Sequence, residues 1–209
     1  MLKVDHISVM NLENAMRGAR NPLNSWARSD SYYNEAGEYV LEENDLSLAG
    51  RLCRAGSDHR KFIRQILVSM DITAPMYWWK EFDTYKVGTV ANSTSTMHKI
   101  HAKPFSLEDF STDHMTPEAL AQFRTWVDYL EQVRLRYMED KDKAYWYDLI
   151  QLLPSSYDQK RTVTLNYEVL ANIYFARRSH KLDEWHTFCD MIASLPYARE
   201  IILACGREE

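Results

Sequence analysis

The sequence predicts an α+β fold, and three observations support that class. Residues 4–10 favour a strand, and residues 11–18 then have helical spacing. A second strand, rich in β-branched residues around Ile72, is stopped by Pro75 and followed by an apolar helix. In the second half of the chain, apolar residues recur at three- and four-residue steps, which is typical of amphipathic helices.

The longest predicted helix begins with a clear start signal. Thr116 is a good N-cap, Pro117 suits the first helical position, and Glu118 places an acid in the first turn. Arg134 and Arg136 on this helix, with the charged run that follows, are most simply a solvated face. Further helices are predicted over residues 45–55, 141–152, 165–176 and 182–203, the last with a bend at Pro196, whereas residues 88–101 are expected to form a loop and residues 21–44 loops and a short helix.

Composition limits the classes of function that the chain can serve. Its 209 residues are 45% hydrophobic and carry a formal charge of -5, which suits one domain spanning residues 1–209 and offers no general basic surface for nucleic acid or an anionic membrane. The N-terminus has no signal-like segment and no apolar run approaches membrane-spanning length, so we expect a cytoplasmic protein.

Several chemistries lack their usual sequence patterns. The three cysteines share no C-x-x-C spacing, and the six glycines leave little means to build a phosphate-cradling loop. His98 and His101 have metal-ligand spacing, but no third ligand follows in a recognisable pattern, so no metal is expected. The 13 Tyr and 6 Trp could serve the core or line a planar-ligand pocket.

Three blocks of residues follow one another along the chain, and their mutual spacing is more informative than any single block. The first, residues 56–62, contains His59. The second runs from the apolar helix after Pro75 into Thr84-Tyr85-Lys86, with Ser95 beyond it. The third follows Leu153-Pro154 and contains four polar residues: Asn166, Asn172, Arg177 and His180.

Together, residues 4–190 resemble the flavin-dependent thymidylate synthases. This resemblance implies a central, mostly antiparallel sheet packed with long helices, in a homotetramer that binds FAD between subunits. Thr84-Tyr85-Lys86 stands where that family has Arg-His-Arg, and Met97 and Ile150 stand where it has arginines. The signature motif is therefore degenerate in this chain.

The resemblance also implies roles for individual residues. His59, Asn166, Asn172 and His180 would bind FAD; Lys86, Ser95 and Arg177 would bind the nucleotide, and Ser95 is also the candidate catalytic residue. The implied reaction is methylation of dUMP, or of a related pyrimidine nucleotide, with methylenetetrahydrofolate and NADPH as co-substrates. A cation for phosphate and amides for the flavin edge are the donors that such a site needs.

Two other interpretations remain open. The motif losses also suit a catalytically inactive descendant that serves as a nucleotide- or protein-binding homo-oligomer. Alternatively, a flavin- or folate-dependent enzyme for a different pyrimidine would explain the loss of phosphate-binding arginines beside retained asparagines.

Overall fold

A computed structural model describes residues 2–206. It mixes helices with an antiparallel sheet, which confirms the predicted α+β class. The strands of this range are β1 (Lys3–Met10), β2 (Tyr32–Tyr33), β3 (Tyr39–Val40), β4 (Leu67–Pro75), β5 (Val90–Ser93) and β6 (Asp158–Asn166). Its α-helices are α1 (Leu12–Arg20), α2 (Glu43–Arg54), α3 (Met76–Phe82), α4 (Pro117–Asp140), α5 (Lys143–Gln151), α6 (Tyr167–Arg177), α7 (Asp183–Ala193) and α8 (Ala198–Ile201).

The main sheet has four strands in the order β1-β4-β6-β5. The register between β4 and β6 is antiparallel: the Ser69 and Thr164 hydroxyls are 3.1 Å apart, and the Tyr167 amide donates to the Ile66 carbonyl oxygen at 3.1 Å. Alternate residues of β4 are buried, as the two-residue period of a strand requires. A separate hairpin pairs β2 with β3.

The chain divides into two compact units. Among the described residues, the first unit comprises 2–3, 72–84 and 92–162, and the second comprises 4–71, 85–91 and 163–206. That residues 1–209 act as one domain stays a prediction.

The first unit contains α3, α4 and α5. Thr116 caps α4 as predicted, because its hydroxyl accepts a 3.3 Å hydrogen bond from the Ala119 amide, and Pro117 is the first helical residue. Helix α4 packs against α5 around buried apolar side chains such as Leu130 and Leu149. The apolar period of both helices therefore places their buried faces together.

The second unit contains a buried ion pair between two helices. Arg20 of α1 is 5% exposed and Asp45 of α2 is 0% exposed, and the Arg20 Nε donates to Asp45 Oδ1 at 2.6 Å. Ser29 and Ser31 each donate a hydroxyl hydrogen bond to the other carboxylate oxygen. Because all three donors converge on it, the buried carboxylate is fully compensated.

Three segments of strand were not predicted. Strand β6 ends at Asn166 and overlaps only the first two residues of the predicted helix 165–176, the rest of which is α6, and β5 lies within the predicted loop 88–101. The hairpin of β2 and β3 lies within residues 21–44. Short strands such as β5, whose residues are all exposed, lack the apolar alternation by which a strand is recognised. The predicted helix 182–203 divides into α7 and α8, on either side of Pro196.

Candidate functional site

Arg177, at the C-terminal end of α6, lies between two aromatic side chains of the second unit. Its Nε donates a 2.9 Å hydrogen bond to the Tyr85 hydroxyl. Its guanidinium carbon is 4.8 Å from the centroid of the Trp185 ring and 5.6 Å from that of Tyr85. Both distances lie within the range of a cation–π interaction, so the aromatic rings hold the orientation of this guanidinium.

His180 belongs to the same aromatic group. Its ring centroid is 6.3 Å from that of Trp185, which is fully buried. The His180 Nδ1 accepts a 3.1 Å hydrogen bond from the Leu182 amide, which places the proton of the neutral imidazole on Nε2. The structure therefore brings two of the predicted site residues, Arg177 and His180, to one tryptophan.

Asn166 ends β6 and caps the N-terminus of α6. Its Oδ1 accepts a 3.0 Å hydrogen bond from the Val169 amide, which satisfies one of the unpaired donors of the first helical turn. Gly88 lies against the other side of the amide: a Cβ added there would be 3.0 Å from Asn166 Nδ2. Gly88 also has φ +78°, a conformation that favours glycine.

The short segment 85–88 lies against both Arg177 and Asn166. Tyr85 binds Arg177, Gly88 lies against Asn166, and Lys86 is exposed between them. Part of the degenerate motif thus lies beside residues of the third sequence block, although they are about 80 positions away in the chain.

Asn172 is exposed on α6 and lines a groove of about 1000 Å³ in the second unit. The groove is formed by the ends of α2 and α6, by α8 and by the turn after it. Its lining residues are Arg54, Arg60, Ala171, Asn172, Phe175, Ala176, Arg178, Arg199, Leu203, Ala204, Cys205 and Gly206. Four arginines therefore line the same groove as a predicted cofactor ligand.

His59 lies elsewhere in the second unit. It is exposed in the turn after α2 and lines a different groove of about 570 Å³, beside apolar residues such as Leu52 and Phe62. The two predicted cofactor ligands His59 and Asn172 thus line separate grooves.

Ser95 and the motif residue Thr84 belong to the first unit. The Ser95 hydroxyl oxygen is exposed and accepts hydrogen bonds from the amides of Met97 at 3.2 Å and His98 at 2.8 Å. Thr84 donates its hydroxyl to the Glu81 carbonyl oxygen at 2.7 Å, at the end of α3. Both hydroxyls therefore stabilise local turns.

Two arginines that could replace the lost cations are held by carboxylates. Arg161 binds Asp83 at 2.7 Å and stacks on Trp79, with 4.2 Å between its guanidinium carbon and the ring centroid. Arg60 binds Glu168 through Nε and Nη2, the latter at 3.0 Å. These pairs neutralise much of the charge that an anionic ligand would meet.

Cys205 borders the arginine-lined groove, donates its thiol to the Ile201 carbonyl oxygen at 3.1 Å and interacts with the buried Cys53. The hydrogen bond from Cys53 and the neighbouring Arg60 guanidinium lower the pKa of Cys205, and the same contact raises the pKa of Cys53. Cys205 is therefore the more acidic thiol of the two.

Other kinds of site can be assessed over residues 2–206. In that range no group of three or more His, Cys, Asp or Glu side chains is arranged to hold a metal ion. None of the helices that the structure describes is both long and apolar enough to cross a membrane.

Sequence reasoning missed the partners of Arg177 and the grouping of four arginines in one groove. Tyr85 was recognised only as a substitution, and Trp185 was one of six tryptophans without a distinguishing signal. Arg54 and Arg199 are far apart in the chain and meet only through the packing of α2 with α8. No local pattern could have joined them.

Comparison with solved structures identifies the fold. The chain is similar to thymidylate synthase X (ThyX) from Helicobacter pylori with FAD and dUMP, with a TM-score of 0.68, 17% identity and 96% of each chain covered. A second structure of the flavin-dependent ThyX from Helicobacter pylori, complexed with FAD and dUMP, gives a TM-score of 0.67, 16% identity and coverage of 95% of this chain and 96% of that one. No protein-family model matches, and no curated protein sequence matches.

The chain therefore shares the fold of these ThyX structures. At this identity the similarity establishes the fold alone.

Proposed function

We propose that this protein is an FAD-dependent enzyme that methylates dUMP or a related pyrimidine nucleotide. The observation that carries the proposal is the similarity of fold over 96% of both chains to a ThyX structure with FAD and dUMP. NADPH and methylenetetrahydrofolate are the proposed co-substrates, and the proposed setting is a cytoplasmic homotetramer.

The groove around Asn172 suits a flavin cofactor in its donor chemistry. An exposed amide can donate to and accept from the edge of a heterocycle, and Phe175 adds apolar surface beside it. A groove of about 1000 Å³ is also at the upper end of the size usual for small-molecule sites. When bound, FAD would supply the hydride-transfer chemistry that no side chain provides.

Arg177 is the proposed nucleotide ligand. Its contacts with Tyr85 and Trp185 restrict the guanidinium before any ligand arrives, so less conformational entropy is lost on binding. Lys86 would add a second, mobile cation for a phosphate group. Ser95, His59, Asn166 and His180 complete the proposed set, although the Asn166 oxygen already caps α6.

A second proposal follows from Tyr85. Where the resembled family has a histidine, this side chain accepts a hydrogen bond from Arg177, and Thr84 caps a turn. These roles favour a protein that retains nucleotide binding without catalysis.

The test has two stages. A visible spectrum of the purified protein, or an FAD titration followed by flavin fluorescence, measures cofactor binding, and Asn172→Ala is expected to weaken it. A dUMP methylation assay with methylenetetrahydrofolate and NADPH then separates the two proposals. Absence of FAD binding would reject the flavoenzyme, whereas FAD and dUMP binding without turnover would favour the non-catalytic protein.

A further inference from the structure

The arginine-lined groove concentrates positive charge on a protein that is acidic as a whole. The formal charge of the chain is -5, yet four of the groove's lining residues are arginines, and none of those lying within residues 2–206 is Asp or Glu. Glu168 neutralises Arg60. Arg54, Arg178 and Arg199 are exposed and line this one concave surface, and Arg54 also borders a second groove lined by Glu42, Glu43 and Glu200.

Such an arrangement favours an anionic ligand. Like charges in a shared groove repel one another, and each guanidinium presents a fork of donors that matches two phosphate oxygens. Three guanidinium groups on three different elements suit a ligand with several anionic oxygens more than they suit a single carboxylate. A pyrophosphate group has that number and spread of acceptors.

One of the three arginines is held in place by packing. The Arg178 guanidinium carbon is 5.4 Å from the centroid of the Phe175 ring. Gly206 lies on the same ring so closely that an added Cβ would be 2.6 Å from Phe175 Cε1. Because the ring is confined by Gly206, it offers Arg178 a fixed surface, which lowers the entropic cost of binding a ligand.

We propose that Arg54, Arg178 and Arg199 bind the pyrophosphate of a nucleotide ligand in the groove beside Asn172. The groove volume of about 1000 Å³ accommodates a nucleoside diphosphate or a dinucleotide. The pyrophosphate belongs either to FAD, in which case the inference rests on the proposed function, or to a nucleotide without flavin. The arginines would thereby supply cations that the signature motif lacks.

Binding measured by calorimetry with ADP, FAD, inorganic pyrophosphate and riboflavin tests the inference. ADP or FAD is expected to bind, pyrophosphate to compete, and riboflavin, which has no phosphate, to bind far more weakly. Arg54→Gln and Arg199→Gln should each weaken binding roughly 10- to 100-fold, the loss of one charge-assisted contact. Arg124→Gln, an exposed arginine of α4 outside the groove, is the matched control and should bind as the unmodified protein does.

Cys205 provides a readout that does not depend on any activity. Because it lines the same groove, saturating ADP or FAD should slow its alkylation by iodoacetamide, and Arg199→Gln should remove that protection. This measurement also detects a ligand that binds elsewhere, since such a ligand would leave the alkylation rate unchanged.

The outcomes separate this inference from the proposed function. Binding of ADP but not FAD, lost in the groove variants, would support the pyrophosphate site and reject the flavoenzyme. FAD binding that both variants retain would support the flavoenzyme and overturn the pyrophosphate site. The site would also be overturned if none of the phosphate ligands bound, or if riboflavin bound as tightly as FAD.

Discussion

The Tyr85 hydroxyl accepts a 2.9 Å hydrogen bond from the Nε of Arg177. The residue that replaces the histidine of the resembled motif thus supports the arginine that is proposed to bind the nucleotide. The substitution exchanges an imidazole for an aromatic ring with a hydroxyl that fixes a neighbouring cation. A degenerate motif can therefore retain part of its function through a different contact.

Tyr85→Phe isolates that contact, because it removes the hydroxyl and keeps the ring beside Arg177. Hydrogen bonds to charged groups contribute about 1.5–3 kcal/mol, so we expect the free energy of unfolding to fall by about that amount and dUMP affinity to fall about tenfold. Urea denaturation and calorimetry measure the two effects. Tyr147→Phe, on the exposed Tyr147 of α5, is the control. Unchanged dUMP binding in Tyr85→Phe would separate this contact from nucleotide recognition.

Asn166→Asp distinguishes the structural and ligand roles of Asn166. Aspartate retains an oxygen to accept the Val169 amide, and a negative charge is favourable at a helix N-terminus, so stability should be preserved. Asn166→Ala loses the cap and should cost about 1 kcal/mol. If Asn166 binds FAD through its NH₂ group, both variants should weaken FAD binding while only Asn166→Ala lowers the thermal midpoint. FAD binding retained by both would restrict Asn166 to capping.

The Arg20–Asp45 pair predicts a particular loss of stability in acid. Burial by itself raises the pKa of Asp45, but the hydrogen bonds from Ser29, Ser31 and Arg20 outweigh it and lower that pKa below its ordinary value of 3.8. A carboxylate with a lowered folded pKa contributes stability above its unfolded pKa, and this contribution is lost as the pH falls through the folded value. Denaturant unfolding between pH 7 and 2 should therefore show stability falling below about pH 4.

Asp45→Asn tests the assignment of that acid response. It leaves the Arg20 charge buried without its partner, which should cost about 3–5 kcal/mol at pH 7 and flatten the dependence on pH below 4. Asp128→Asn, on the exposed face of α4, should change neither quantity. An Asp45→Asn protein that kept the full acid slope would assign the response to other carboxylates.

Cys205 should be the reactive thiol of the described chain. The hydrogen bond from Cys53 and the Arg60 guanidinium lower its pKa, whereas burial raises the pKa of Cys189 to about 11. Because the thiolate is the nucleophile, Cys205 should react with iodoacetamide at a lower pH than an ordinary thiol does. Arg60→Met should raise the pKa of Cys205 and move the rate profile to higher pH, as mass spectrometry of the alkylated peptides would show. A profile unchanged by Arg60→Met would leave Cys53 as the cause.

Local signals in the sequence predicted most of the helices and the strands β1 and β4, but not β6. Thr116 and Pro117 mark the start of α4 through chemistry contained in adjacent residues, and Pro75 marks the end of β4 in the same way. Strand β6 was missed because its pairing with β4 joins residues about a hundred positions apart, such as Ser69 and Thr164. Such long-range pairing is invisible to a local window.

The candidate site, like the fold, could be predicted from the sequence only in part. The order of Asn166, Asn172 and Arg177 could be recognised along the chain, but their partners could not. Arg134 was placed on a solvated face, yet it is 8% exposed and binds Glu131 at 2.6 Å. The local sequence around a charged helical residue does not show whether its side chain contacts water or a carboxylate. Only the tertiary structure shows that environment.

The contact between Gly88 and Asn166 restricts how this region can evolve. Position 88 requires a residue that tolerates φ +78° and has no Cβ to meet the Asn166 amide, while position 166 requires a short side chain that caps α6. A larger residue at position 88 would be strained by its φ of +78° and would also contact the Asn166 side chain closely. Among natural relatives of this chain, glycine should therefore persist at position 88 wherever a short capping side chain occupies position 166.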